Sequence, residues 1–74
     1  MEYAELAEKI KAHKDEISKE IGVKPQTIVK WCDDSKRFLN VGVDEICTMA
    51  IIIDVHPKDV LNILENEVFQ YMKK

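Results

Sequence analysis

Apolar residues recur along this chain at intervals of three and four, the spacing of one face of an α-helix. Tyr3, Leu6, Ala7 and Ile10 form the first such stripe, and Ile17 and Ile21 continue it beyond His13. Two acids, Asp15 and Glu16, follow Lys14 and suit the positive end of a helix dipole. The chain is therefore predicted to break near His13 and to start a second helix at Lys14. Gly22 directly follows Ile21, where a left-handed backbone can end a helix. Pro25 marks the start of a third helix, because the first helical position has no use for an N–H. That helix carries Ile28 and Trp31 on one face and runs out at Cys32-Asp33-Asp34-Ser35. Lys36-Arg37-Phe38-Leu39-Asn40 reads as a connector with two cations and two apolar anchors. Asp44-Glu45 opens a fourth helix with Ile46, Met49, Ala50 and Ile53 inside. After Asp54-Val55-His56, Pro57 starts a fifth helix, predicted over about residues 57–72, with Val60, Leu61, Leu64, Val68 and either Tyr71 or Met72 along one side. Ile63 and Phe69 fall off that stripe, so this last helix has more apolar surface than a single core face uses.

The pattern predicts an all-α domain of five short helices filling residues 1–74, with Val23, Ile28, Trp31, Ile46, Met49 and Ile53 in its core. Composition agrees. Only two Gly and two Pro occur, too few for a chain of tight β-turns. A chain of this size buries only about 60% of its unfolded surface, which excludes folds built around a deep cavity. No Ser/His/Asp set, glycine-rich phosphate loop or isolated carboxylate pair stands out, so an enzyme is not expected. Cys32 and Cys47 read as reduced thiols, and their spacing to His13 and His56 fits no zinc-finger pattern. No metal and no cofactor is expected. The first five residues are acidic, unlike a signal peptide, and the longest apolar run, Met49 to Ile53, is far short of the roughly 20 residues that span a bilayer. A cytoplasmic protein with no membrane partner is the expectation.

The formal net charge of −3 at first argues against nucleic acid. Its distribution changes that. Residues 1–23 carry four Lys against six acids, and residues 41–74 carry three Lys against six acids. Between them, residues 24–40 hold Lys24, Lys30, Lys36 and Arg37 against Asp33 and Asp34, a net +2. Screening at physiological salt acts over about 8 Å, so local charge governs phosphate contact.

That basic stretch coincides with a mechanical pattern. Residues 17–31 read as helix, glycine turn, helix. Ser18 is small where two helices cross closely, Gly22 makes the turn, and Val23, Ile28 and Trp31 fill the angle. Pro25, Gln26, Thr27 and Lys30 are left facing outward. Gln pairs bidentately with adenine, Lys donates to guanine, and Thr reaches phosphate.

Gly22-Val23 with Thr27-Ile28 and Trp31, followed by Met49-Ala50 and Val55-x-Pro57, resembles the Cro/cI-type helix-turn-helix family, also called XRE-like or lambda-repressor-like. The resemblance covers about residues 14–62, with the motif at about 14–32. It implies a five-helix DNA-binding fold with the motif at helices two and three and a recognition helix at 25–32. It also implies site residues: Lys14 toward phosphate, Pro25, Gln26 and Lys30 toward bases, Thr27 where the family often has Ser or Thr, and Lys36 and Arg37 along the backbone; Lys24, just before the recognition helix, is counted with the DNA-binding residues. The chain departs from the family at several places. Ser18 stands for the usual Ala, Lys14 for a common Gln, and Cys32-Asp33-Asp34 for a common Glu-Asn-Gly; Ala7 stands where the family has an Arg.

The expected function is a sequence-specific transcription regulator, a small phage or bacterial repressor that binds operator double-stranded DNA as a homodimer. Pairing is expected through Ile63, Leu64, Val68, Phe69 and Met72. The alternative is an antitoxin-like or anti-repressor-like module that meets a protein partner and does not bind DNA.

Overall fold

The structure, a computed structural model, describes residues 1–72, Tyr71 by its backbone alone. It is all-helical over these residues. The elements are α1 (Tyr3–Ala12), α2 (Lys14–Ile21), α3 (Pro25–Asp33), a 3-10 helix (Ser35–Asn40), α4 (Val43–Ile52) and α5 (Pro57–Met72).

Most of the boundaries have a local chemical cause. At His13 the backbone leaves helical geometry (φ −110°, ψ 18°), and the ring Nδ1–H donates to the Lys9 carbonyl at 2.9 Å. This single residue separates α1 from α2. α2 ends at Gly22, whose φ of +76° is the left-handed conformation that a side chain disfavours. The Ser18 hydroxyl spans the turn and donates to the Val23 carbonyl at 2.5 Å. α4 begins where the Glu45 carboxylate accepts the Gly42 N–H at 3.1 Å. It closes with paired bonds, Asp54 N–H to the Ile51 carbonyl and Val55 N–H to the Ala50 carbonyl. This is the Schellman arrangement, with Asp54 at φ +59° in the position glycine usually takes. α5 starts at Pro57, and the His56 ring accepts the Lys58 N–H at 3.1 Å, capping the first turn.

Each α-helix contributes at least one fully buried side chain: Leu6 and Ile10 from α1, Ile17 from α2, Ile28 from α3, Met49 from α4 and Val60 from α5. Ile46, Ala50 and Ile53 join them, while Val23 and Trp31 pack on the core from a partly exposed position. α3 lies against α1, α2 and the 3-10 helix; α4 lies against α2 and α5. The Trp31 and Phe38 rings meet at 6.0 Å between centroids, tilted by 55°.

Two expectations are corrected. The segment after α3 is a helix of its own, so the described residues hold six helical elements, one more than the periodicity predicted. Asp34 starts it by accepting the Lys36 N–H at 3.3 Å. Phe38 and Leu39 do not both anchor it: Phe38 is 4% exposed and Leu39 64%. Neighbours on a helix with about three residues per turn point about 120° apart, so one faces the core and the other faces away. Of the two alternatives for the end of the α5 stripe, Tyr71 and Met72, the second is 74% exposed. The side chain of Tyr71 lies outside the described residues.

The two left-handed positions predict opposite mutational effects. A Cβ on Gly22 would meet no atom within 4 Å, so the cost there is backbone strain alone. Gly22→Ala is expected to lower unfolding free energy by about 1–2 kcal/mol, and Gly22→Asn by less. Asp54→Gly is expected to raise it by a few tenths to about 1 kcal/mol. Urea denaturation of the three variants checks both signs.

Candidate nucleic-acid interface

Ile28 and Cys32, one turn apart, turn one side of α3 into the core. The opposite side carries Gln26 and Lys30, also one turn apart, both exposed, with Lys24 exposed just before the helix. Pro25 and Thr27 sit on the flanks and are half-buried. Pro25 is therefore a shoulder of this face and does not project from it. Lys14 is half-buried at the first residue of α2. Lys36 and Arg37 are exposed on the 3-10 helix, which packs against α3. The fold thus places Gln26 and Lys30 on one face of α3, with Lys24 exposed at its start and Lys36 and Arg37 on the adjoining element.

The start of α3 is electrostatically open. No side chain caps its first turn and no acid lies in it, whereas α1, α2, α4 and α5 each carry an acid there. The positive end of a helix dipole attracts anions, and a carboxylate in the first turn would offset it.

The two acids after Trp31 are engaged. Asp33 pairs with Lys11 of α1 at 3.2 Å, and Asp34 pairs with Arg37 at 3.8 Å while capping the 3-10 helix. The bond and charge of Asp33 raise the Lys11 pKa above its ordinary value. Both pairs are solvent-exposed, so their contribution to stability is small. Their effect on the surface is to give each acid a nearby cation. The Tyr3 hydroxyl reinforces the same seam by donating to the Cys32 carbonyl at 2.8 Å.

Two residues of this surface carry no functional signal in the sequence. Lys11 has no local signal, since its partner is distant in the chain. Val29 is half-buried on the same flank as Pro25, one helical turn from Gln26 and next to Lys30. Its spacing from Gln26 is readable in the sequence, but an apolar side chain on a helix is more commonly a core residue than a base contact.

The residues expected to pair two copies divide. Leu64 and Val68 are 5% and 7% exposed and belong to the chain's own buried core. Ile63 is half-buried on another side of α5, beside Met1 and Tyr3. Phe69 and Met72 are exposed and rim a groove of about 440 Å³. Leu64 and Val68 also line it, and Phe38 and Leu39 of the 3-10 helix line it too.

No protein-family model matches the chain, and no curated protein or solved structure is significantly similar to it. Among the described residues no three or more His, Cys, Asp or Glu side chains converge as a metal site. Among them, too, no helix is long and apolar enough to cross a membrane.

Burial pushes the Cys32 thiol up to about 11, with Asp33 adding to the shift and Lys11 opposing it. Cys47, on α4, is half-buried. The thiolate is the reactive form. At about pH 8, a disulfide reagent such as DTNB is expected to react with one thiol per folded chain, and Cys47→Ser should remove that reaction. Cys32 should react only on unfolding. The folded chain holds the Cys32 proton more tightly than the unfolded chain, whose thiol titrates at about 8.5. Its contribution to stability is thus complete below that pH and is lost as pH rises towards about 11. Denaturation midpoints across that range should fall less steeply in Cys32→Ala.

Proposed function

We propose that the chain is a sequence-specific, double-stranded-DNA-binding transcription regulator of the lambda-repressor-like helix-turn-helix type. α2 and α3 form the motif and α3 enters the major groove. The observation that carries this reading is the outer face of α3. Gln26 and Lys30 project from it, Lys24 and an open helix start lie at one end, and the nearby acids are already paired. Such a surface suits both base edges and phosphate, and its local charge offsets the acidity of the rest of the chain.

The test is selection of duplexes from a random pool by the full chain at low salt. Gln26→Ala is expected to weaken binding to the selected duplex by about 1–3 kcal/mol and to relax preference at one base pair. Lys30→Ala is expected to weaken it as well. If Lys30 contacts phosphate, the slope of log K against log salt should fall by about one unit; if it contacts guanine, preference at that base pair should relax. Enrichment of no duplex overturns the proposal.

The regulator acts as a homodimer in this reading. One recognition helix reads only a few base pairs, and twofold pairing lets two of them enter successive major grooves about 34 Å apart. The apolar patch supports a second copy as its occupant because it holds both a projecting Phe69 and an adjoining groove, as a self-complementary twofold contact requires. Phe69→Glu should yield a folded monomer at concentrations where the unaltered chain is dimeric by sedimentation equilibrium. A strictly monomeric unaltered chain at high micromolar concentration overturns the dimer.

A further inference from the structure

We infer that Val29 is a specificity-determining residue that reads the 5-methyl group of a thymine beside the base pair contacted by Gln26. This rests on the DNA-binding reading above and names part of its target.

Val29 is not one of the side chains that tie α3 to the buried core. The apolar side chains of α3 that serve the core are Ile28, Trp31 and Cys32; Val29 is half-buried but does not pack on that core. Helix propensity does not account for it either, since β-branched residues are weak helix formers. Its neighbours give it a role. Gln26 lies three positions before it and Lys30 directly after it, both exposed. Side chains three and four apart on a helix have Cβ atoms about 5–6 Å apart. Stacked base pairs are about 3.4 Å apart, so this triangle covers about two neighbouring base pairs.

The chemistry of the three side chains then constrains the target. Gln26 offers the paired donor and acceptor that match adenine N7 and N6. Val29 offers only methyl groups, and the one apolar group on a major-groove base edge is the thymine methyl. One turn beyond Val29 on the same row is Asp33, which could accept from cytosine N4, but Lys11 holds it at 3.2 Å. The outer face of α3 therefore favours an A·T-rich step under Gln26 and Val29, with Lys30 free for guanine or phosphate.

The experiment replaces thymine by deoxyuridine, one position at a time, in the duplex selected by the full chain. At one thymine per half-site, loss of the methyl should weaken binding by about fourfold, the worth of one buried methylene-sized group. Val29→Ala should bind the thymine and deoxyuridine duplexes equally at that position, while Gln26→Ala keeps the discrimination. Val29 is partly exposed and off the core, so circular dichroism and the denaturation midpoint of Val29→Ala should match those of the unaltered chain. Specific binding without methyl dependence, or methyl dependence that survives in Val29→Ala, overturns this inference and leaves the DNA-binding reading standing. Failure to select any duplex overturns both.

Discussion

α3 is held at its start by the turn through Gly22, along its length by the buried Ile28, and at its end by Tyr3 and Lys11 reaching over from α1. Every side chain on its outer face takes its direction from those restraints. The left-handed backbone at Gly22 sets the angle between α2 and α3, and the Ser18 hydroxyl bonded to the Val23 carbonyl closes the same turn. Ile28 then decides which side of the helix is inner. With that side chain fully buried, Gln26 and Lys30 are placed opposite by helical geometry.

The same arrangement gives the charge pattern a structural meaning. Lys11 and Arg37 lie close to Asp33 and Asp34, and the acids thereby become partners in the seam between α1, α3 and the 3-10 helix. None of these exposed pairs adds much stability. Their consequence is local: the helix that carries Gln26 and Lys30, with Lys24 at its start, adjoins acids that already have cations beside them. The acidic surplus of the chain resides mainly on the other segments, where it would disfavour loose association with arbitrary polyanions.

The apolar surface of α5 shows how packing divides a stripe that looks uniform in one dimension. Val60, Leu64 and Val68 recur at helical spacing and are buried. Phe69 and Met72 belong to the same helix and remain exposed, and Leu39 joins them from an element that periodicity did not foresee. A three-residue turn forces Phe38 and Leu39 apart, so the core takes one and the surface receives the other. The groove between them exists only because the 3-10 helix and α5 are adjacent in space.

What could be read from the chain alone was what local interactions decide. The helical stripes, the break near His13, the turn at Gly22 and the starts at Pro25 and Pro57 rest on backbone preferences and dipoles acting within a few residues. The outward placement of Gln26 and Lys30 was legible for the same reason, because it follows from Ile28 being inside. Tertiary structure alone decided the rest. Lys11 meets Asp33 and Tyr3 meets Cys32 across more than twenty residues of sequence, Ile63 faces a different side of α5 from Phe69, and Val29 is spared by the core. Such contacts depend on how helices pack, and helical periodicity states which side chains share a face without stating what that face will meet.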